Sequence, residues 1–298
     1  MSVEPRVSVD RSVRTRKSLS RFARESARRL WKRPGVLVAW IVLVATVAAV
    51  AAAPILASSD PSFVNVSARL QPPGSDWLMG TDNFGRDILA RVLHGGRASL
   101  LIGLAVVLLA VGGGSIVGLL AGYNRRFDAI SMRIVDGLIS FPALVLAIGM
   151  VGVLGPGATT VILALSIVYA PRVVRIVRGS VLVTKEQPFV EATISLGAGG
   201  SYIIRHHLLP NVWSPIIVQA SFIFPFAVLG EAALSFLGVG VPADVPSWGN
   251  ILTDARAYLD TAWWMSLFPG LTIVATVLVL NVIGDDLRDS LDPTLKGR

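Results

Sequence analysis

The sequence predicts an all-α membrane protein with six transmembrane helices. Of its 298 residues, 53% are hydrophobic and only 15% are charged, whereas soluble domains average about 25% charged residues. Uncharged stretches recur along the chain, and each is close to the ~20 residues that a helix needs to cross a bilayer. Composition and the length of these stretches therefore exclude an ordinary soluble domain.

The positive charge is concentrated before the first uncharged stretch. Residues 1–34 contain 11 Lys or Arg and 3 Asp or Glu, while the remaining 16 basic and 16 acidic residues cancel. The excess charge therefore forms a tail, and no motif that reads nucleic acid accompanies it. We predict a basic cytoplasmic tail at 1–34 and a six-helix transmembrane domain at 35–298. The chain has no cysteine, which excludes disulfides and thiolate metal sites.

The uncharged runs define the predicted spans. The first is expected to be an uncleaved signal-anchor, because the basic region before it is too long for a secretory signal peptide. The third and fourth share one uncharged run and are separated by a tight turn at 155–157, with Pro142 expected to kink the third. The predicted spans are Gly35–Ala57, Ala98–Tyr123, the two halves of Gly137–Pro171, Val212–Leu237 and Trp263–Gly284.

The distribution of Lys and Arg predicts the orientation of these spans. With the N-terminus in the cytoplasm, segments on that side hold 22 of the 27 Lys and Arg residues, and segments on the other side hold 5. Under the positive-inside rule, both termini and the 172–211 segment lie in the cytoplasm.

The stretch 188–211 predicts two short helices joined by glycines. Pro188 suits the first turn of a helix, Glu191 lies near the positive end of its dipole, and Gly197 ends it. Ser201 is a good N-cap for a second short helix that is expected to stop before Pro210. A first helix of about eight residues, ~12 Å long, is too short to be stable alone in water. We therefore expect it to dock into a groove on another protein.

This stretch resembles the EAA loop of ABC-importer permeases, which forms the coupling helix that sits in a cleft of the cytoplasmic ATPase. The third residue of the motif is threonine here rather than alanine. An ordinary interhelical loop with a glycine hinge is the alternative interpretation. The residues to which the resemblance assigns an ATPase-coupling role are Glu191, Ala192, Thr193, Gly197, His207, Pro210 and Asn211.

Three further strings, which the orientation places at the external side, resemble one branch of that family. They are Gly-Thr-Asp-Asn-Phe-Gly-Arg-Asp-Ile-Leu-Ala-Arg at 80–91, Glu-Ala-Ala-Leu-Ser-Phe-Leu-Gly-Val-Gly at 231–240 and Pro-Ser-Trp-Gly at 246–249. They are similar to the second of the two permease types in dipeptide, oligopeptide and nickel importers. The residues alone indicate only an interfacial helix that enters the second span. The external motif residues are Gly80, Thr81, Asp82, Gly85, Arg86, Asp87, Glu231, Trp248 and Gly249.

Charged residues within or beside the predicted spans are candidates for function. Glu231 lies in an apolar run, and an intramembrane carboxylate is a functional candidate by default. It lies roughly 28 Å along the fifth span, near the outer interface, where a paired structural acid is an equally good interpretation. Arg172, Arg175 and Arg178 share one helix face; lipid and water are their expected contacts, with acidic residues of an ATPase as the alternative.

Small and aromatic residues predict contacts of the second and sixth spans. Gly114, Gly118 and Gly122 repeat every four residues, a spacing that lets helix backbones approach closely in lipid. Trp263 and Trp264 are expected to belong to an aromatic belt at the membrane interface.

The family resemblance implies a multi-pass permease subunit with the type I ABC importer fold in the cell inner membrane. Its implied partners are a second homologous permease subunit, two ATP-binding subunits, an extracytoplasmic substrate-binding protein and the lipid bilayer, and no nucleic acid. Its implied substrates are dipeptides or oligopeptides, with nickel or another small solute as the alternative. The sequence does not predict which side chains line the pathway.

No chemistry of its own is predicted for the chain. It contains no Gly-x-x-x-x-Gly-Lys-Ser/Thr phosphate-binding loop, so ATP and magnesium are expected on partner ATPase subunits and no cofactor on this chain. No catalytic residue and no metal site are expected. A proton-coupled secondary transporter in which Glu231 titrates, or a membrane scaffold without transport, remain as alternatives from other classes.

Overall fold

The computed structural model describes residues 33–57 and 60–291, so the predicted basic tail lies almost entirely outside the described residues. Helices and turns make up the described part, with one isolated β-bridge between Thr81 and Asp87. In chain order the helices are α1 (Pro34–Ala51), α2 (Ala53–Leu56), α3 (Ile88–Tyr123), α4 (Arg125–Ile139), α5 (Ala143–Leu154), α6 (Ala158–Lys185), α7 (Pro188–Ser195), α8 (Gly200–Phe236), α9 (Trp248–Ala255) and α10 (Trp264–Leu291).

The predicted all-α membrane fold is confirmed. Five helices, namely α1, α3, α6, α8 and α10, are each long and apolar enough to cross a membrane, and the bent pair α4–α5 makes a sixth if it is counted as one span.

The third predicted span is wrong as a single helix. Helix α4 ends at Ile139, α5 begins at Ala143, and the two are bent by 94°. Pro142 explains the break, because proline lacks the N–H of a helical hydrogen bond and disfavours helical dihedrals in the residue before it. The 12 residues of α5 extend only ~18 Å, less than the ~30 Å hydrocarbon core. The predicted turn at 155–157 does join α5 to α6, with Gly155 at a φ of +85°.

Helix α3 starts at Ile88, ten residues before the second predicted span, so the predicted interfacial helix and that span form one continuous helix. Asp87 caps this helix by accepting a hydrogen bond from the Leu89 amide. The arginines of the first turns are tolerated because they have partners: Arg97, for example, donates to the Val50 carbonyl at 3.0 Å.

The helix predicted to stop before Pro210 instead continues into the fifth span. It starts after Gly199, not Ser201, and runs from Gly200 to Phe236 through a π-helical turn at Ile204–Leu208. In that turn the backbone N–H of Leu209 donates to the Ile204 carbonyl. The loop and the span are therefore one continuous helix, α8.

The largest helix interface joins α3 and α6, and it confirms the glycine spacing. A Cβ atom added at Gly114 would lie 2.8 Å from Val173 Cβ, and one added at Gly118 would lie 2.8 Å from Val177 Cβ. Helix α8 packs on both α3 and α6 and also on α10, which in turn contacts α1.

The contacts of the three arginines on α6 (Arg172, Arg175 and Arg178) differ from the lipid and water contacts that the sequence predicts. Arg175 pairs with Asp136 at 2.6 Å, and the Arg178 Nη2 atom contacts Asp128 at 2.7 Å. Both acids belong to α4, which is thereby fastened across the end of α6. Only Arg172 of the three has no such partner among the described residues.

Candidate functional site

Helix α7 is anchored by one side and exposed on the other. Pro188 stands in its first turn, Glu191 is the acidic residue of that turn, and Val190 is fully buried. Val190 belongs to a core cluster with Val181 of α6 and with Ile203 and Leu208 of α8. A helix too short to be stable alone is thus held by one apolar contact to the ends of two long helices.

The outer side of this region presents large apolar side chains to solvent. Leu196 is 88% exposed and Ile194 is 47% exposed, with Phe189 and Tyr202 exposed beside them. Glu191 and Ala192 of the same helix are exposed as well. Large exposed apolar side chains that lie together mark a surface that contacts another protein.

Thr193 and His207 fasten α7 to α8. The Thr193 hydroxyl donates to the Phe189 carbonyl at 2.8 Å and lies 3.4 Å from the His207 Nε2 atom. The Asn211 side-chain amide in turn donates to the His207 carbonyl at 2.6 Å. Three of the predicted loop residues are therefore in contact, and Pro210 follows in the same helical turn.

Gly197 ends α7 in the left-handed conformation, with a φ of +80°. Its N–H donates to the Ile194 carbonyl at 2.9 Å. A Cβ atom at this position would meet no atom within 4 Å, so glycine is required for its dihedral freedom and not for space. At Gly200 the requirement is space, because a Cβ atom would lie 2.6 Å from the Tyr123 hydroxyl.

The 80–87 motif forms a tight loop before α3. Gly80 and Gly85 both have positive φ, and a Cβ atom at Gly85 would lie 1.7 Å from the Asn65 carbonyl oxygen. Thr81 is fully buried; its hydroxyl donates to the Ala68 carbonyl, and its own carbonyl accepts from the Trp264 indole at 3.1 Å. Trp264 is therefore a core residue and not part of an aromatic belt, whereas Trp263 is 53% exposed.

Asp82 is the centre of a buried charge network. Its carboxylate accepts from the Arg86 Nε atom at 2.6 Å and from the Arg91 Nη1 atom at 2.7 Å. Both guanidinium groups also reach Asp254 of α9, at 3.0 and 2.9 Å. Two arginines and two aspartates thus join the loop before α3 to α9, with every charge partnered.

Glu231 is fully buried among hydroxyl groups. It accepts hydrogen bonds from Ser99 of α3 at 2.7 Å and from Ser235 of α8 at 2.8 Å. Trp248 donates its backbone N–H to the Ser99 hydroxyl and its indole N–H to the Val92 carbonyl. A Cβ atom at Gly249 would lie 2.6 Å from the Ala232 carbonyl oxygen. Glu231, Ser99 and Trp248 therefore form one hydrogen-bond network that joins α8, α3 and α9.

The predicted site residues fall into two groups at opposite ends of α8. The 24 residues from His207 to Glu231 correspond to ~36 Å of helix. Sequence reasoning did not select four residues that complete the second group. Arg91 was inside the motif string and could have been chosen, but nothing near the other three in sequence signals their role. The four residues are Arg91, Ser99, Asp254 and Trp264.

Groups of three or more side chains able to hold a metal ion do not occur within 33–57 and 60–291. The two groups of site residues, at opposite ends of α8, consist of paired charges, hydroxyl groups and backbone contacts. They therefore position helices and offer no reactive centre.

Comparison with known proteins places this fold in a transport family. Residues 114–297 match the family described as binding-protein-dependent transport system inner membrane component. A relative in Brucella suis biovar 1, named as a peptide transport system permease protein, is 46% identical over 91% of this chain and 92% of its own length. The dipeptide transport system permease protein of Alkalihalophilus pseudofirmus is 42% identical over 92% of this chain and 90% of that protein.

A solved structure supports the fold alone. It is titled as inward-facing conformations of the MetNI methionine ABC transporter, and one of its chains superposes with a TM-score of 0.56 at 20% identity, covering 68% of this chain and 96% of that one.

Proposed function

Because the chain belongs to the family of binding-protein-dependent transport system inner membrane components, we propose that it is the second-type permease subunit of an ATP-driven importer of peptides. Peptides are the proposed substrate class because the similar proteins from Brucella suis and Alkalihalophilus pseudofirmus carry peptide and dipeptide transport in their names. The similarity covers nearly the whole chain and so includes every helix that would enclose a pathway.

The observation that carries the coupling role is the exposed apolar surface of α7 and the residues after it. Phe189, Ile194 and Leu196 are exposed on a helix that is anchored from behind by Val190. A partner ATPase with a hydrophobic cleft would bury this surface, as in helix-in-groove recognition. Glu191 at the edge of the surface is available to a basic group of that partner.

Helix α8 supplies a mechanical connection from that surface to the opposite end. The Thr193–His207 contact and the Val190 core contact join α7 to the first turns of α8. The same helix continues without interruption to Glu231, which accepts from Ser99 of α3, and Ser99 in turn accepts from Trp248 of α9. Displacement of α7 by the ATPases would therefore tilt α8 as a unit and move one end of the bundle relative to the other.

The proposed complex contains a second homologous permease, two ATP-binding subunits and an extracytoplasmic substrate-binding protein. ATP and magnesium would bind to the ATPase subunits. In this arrangement the cytoplasmic side holds both termini and the 188–211 coupling loop, and the other side holds the 80–87 and 246–249 motifs. The chain divides into a basic tail at 1–34 and a permease domain at 35–298.

Reconstitution tests the proposal. The chain purified alone and placed in proteoliposomes should neither hydrolyse ATP nor take up dialanine. The complex with its partner permease and ATPases should take up dialanine when ATP and the substrate-binding protein are supplied. Uptake by the isolated chain, or uptake by the complex that does not need ATP, would contradict an ATP-driven importer subunit.

A further inference from the structure

A polar groove opens between α6, α8 and α10, and α8 supplies most of its lining residues. Its volume is about 540 Å³, within the range of roughly 300–1,000 Å³ for small-molecule sites. Arg172 comes from α6, Ser214 and Gln219 from α8, and Asp285 and Arg288 from α10.

Several polar groups of this groove have no partner among the described residues, although the Ser214 hydroxyl donates to the Leu291 carbonyl at 3.2 Å. Gln219 is only 6% exposed, and its Oε1 atom accepts no hydrogen bond in the described part of the chain. Arg172 and Arg288 form no ion pair with any described residue, whereas Arg175 and Arg178, farther along α6, are both paired with acids of α4. A buried acceptor without a donor is costly, so a ligand that donates an N–H would stabilise the groove.

The charges also indicate that water, not lipid, fills this groove. Charged side chains in a membrane protein face water-filled cavities or one another, because hydrocarbon solvates them poorly. A second groove, between α3, α4 and α6, has the opposite character: it is about 310 Å³ in volume, and Phe127, Ile130 and Ile134 are among the apolar side chains that line it. The two grooves beside α6 therefore differ in character, and the charged lining of the groove at Arg172 suits water or a polar ligand rather than lipid.

We propose that the groove between α6, α8 and α10 binds the main chain and the charged termini of a peptide. Arg172 and Arg288 face its carboxylate, Asp285 faces its ammonium group, and the Gln219 Oε1 atom accepts a peptide N–H. Guanidinium groups suit a carboxylate because they donate two parallel hydrogen bonds. The inference rests on the proposed peptide import, and it adds that recognition uses atoms common to all short peptides, which leaves the side chains of the peptide free.

The absence of cysteine from the chain permits a direct test with single-cysteine variants. Val218 lines the groove, whereas Leu108 on α3 is 64% exposed on an apolar surface. In the complete complex in lipid nanodiscs, a charged methanethiosulfonate reagent should modify Val218→Cys readily and Leu108→Cys slowly. Dialanine should slow the modification of Val218→Cys, and N-acetyl-dialanine amide, which lacks both terminal charges, should not.

Second substitutions in the Val218→Cys background identify the binding groups. Arg288→Gln should raise the dialanine concentration needed for half-maximal protection by about tenfold, as expected for a lost charged hydrogen bond. Gln219→Leu should raise it about fivefold, since a neutral hydrogen bond is weaker. Arg133→Gln is the matched control: Arg133 is an exposed arginine of α4 outside the groove, and this change should leave protection unaltered.

The outcomes separate this inference from the proposed function. If the complex takes up dialanine but dialanine never slows the modification of Val218→Cys, the groove proposal is overturned while peptide import stands. If the complex takes up no dialanine, the proposed function itself is contradicted. If phosphatidylglycerol in the nanodisc slows the modification without any peptide, and Arg288→Gln abolishes that effect, the arginines bind a lipid phosphate and the peptide site is overturned.

Discussion

At the scale of the residue, Glu231 shows how a buried carboxylate is stabilised in this protein. Two hydroxyl donors, from Ser99 and Ser235, point at its oxygens. Ser99 also accepts the Trp248 backbone N–H at 3.2 Å, so the three helices that meet here share one hydrogen-bond network. These contacts fit the interpretation of Glu231 as a paired structural acid.

We expect Glu231→Gln to retain uptake and Glu231→Leu to lose folded protein. Glutamine keeps an acceptor oxygen in the network, whereas leucine leaves two buried hydroxyl groups without an acceptor, at about 1–3 kcal/mol for each. Gel filtration of the detergent-solubilised variants and uptake at constant ATP measure the two effects. The proton-coupled alternative predicts the reverse for transport, namely that an uncoupler abolishes uptake and that Glu231→Gln shows the same loss.

At the scale of the element, the position of α7 against α8 depends on the backbone conformation at the end of α7. The left-handed Gly197 turns the chain back towards α8, so that Thr193 meets His207 and Val190 reaches the core. Gly199, two residues later, has a φ of −69° that any residue adopts, and a Cβ atom there also meets open space. The same substitution at these two glycines therefore distinguishes the effect of backbone conformation from the effect of side-chain bulk.

Gly197→Val should weaken binding of the ATPase and abolish uptake, while Gly199→Val should leave both near normal. A β-branched residue resists the left-handed conformation at a cost of about 1–2 kcal/mol, enough to displace a two-turn helix. Co-purification of the ATPase with each variant, together with uptake in vesicles, measures the effect. Glu191→Ala should give a milder loss of about 0–1 kcal/mol, as for an exposed ion pair. Equal behaviour of the two valine variants would show that 188–211 is an ordinary loop.

At the scale of the whole molecule, the two ends of the bundle are fastened by different kinds of ion pair. At one end the Arg91 side chain is 2% exposed and contacts Asp82 and Asp254. At the other end Arg33 is 54% exposed and pairs with Asp286 and Asp289 of α10. Buried pairs leave an uncompensated charge when one partner is removed, whereas exposed pairs are replaced by water.

Arg91→Met should therefore destabilise the protein by about 3 kcal/mol, and Arg33→Gln should have almost no effect. The expected loss of stability for Arg91→Met lies at the lower end of the range for buried ion pairs, because Arg86 still contacts both carboxylates. Thermal unfolding of the purified variants in detergent measures the difference. A neutral result for Arg91→Met would show that the network at the 80–87 loop contributes no net stability.

Patterns that depend on neighbours along the chain were predictable. Hydropathy located the long helices, the four-residue glycine spacing identified the face that α3 packs against α6, and Pro188 and Gly197 marked both ends of α7. Each of these signals acts within a few residues of the structure it determines. The partners of the charged residues at the start of α3 were not predictable, because they are distant in the chain.

The sequence by itself determined an all-α membrane fold and the presence of a short helix that ends at Gly197, because apolar length, proline and glycine act locally. Only the tertiary structure decided that Asp254 completes the charge network around Asp82, that Trp264 belongs to the core, and that α8 runs unbroken from the 188–211 stretch into the span. It alone brought Arg172, Gln219 and Arg288 to one groove. The physical reason is that the pairing of charges and hydrogen-bonding groups depends on distance in space. When two partners are far apart in the chain, no local sequence pattern identifies either one from the other.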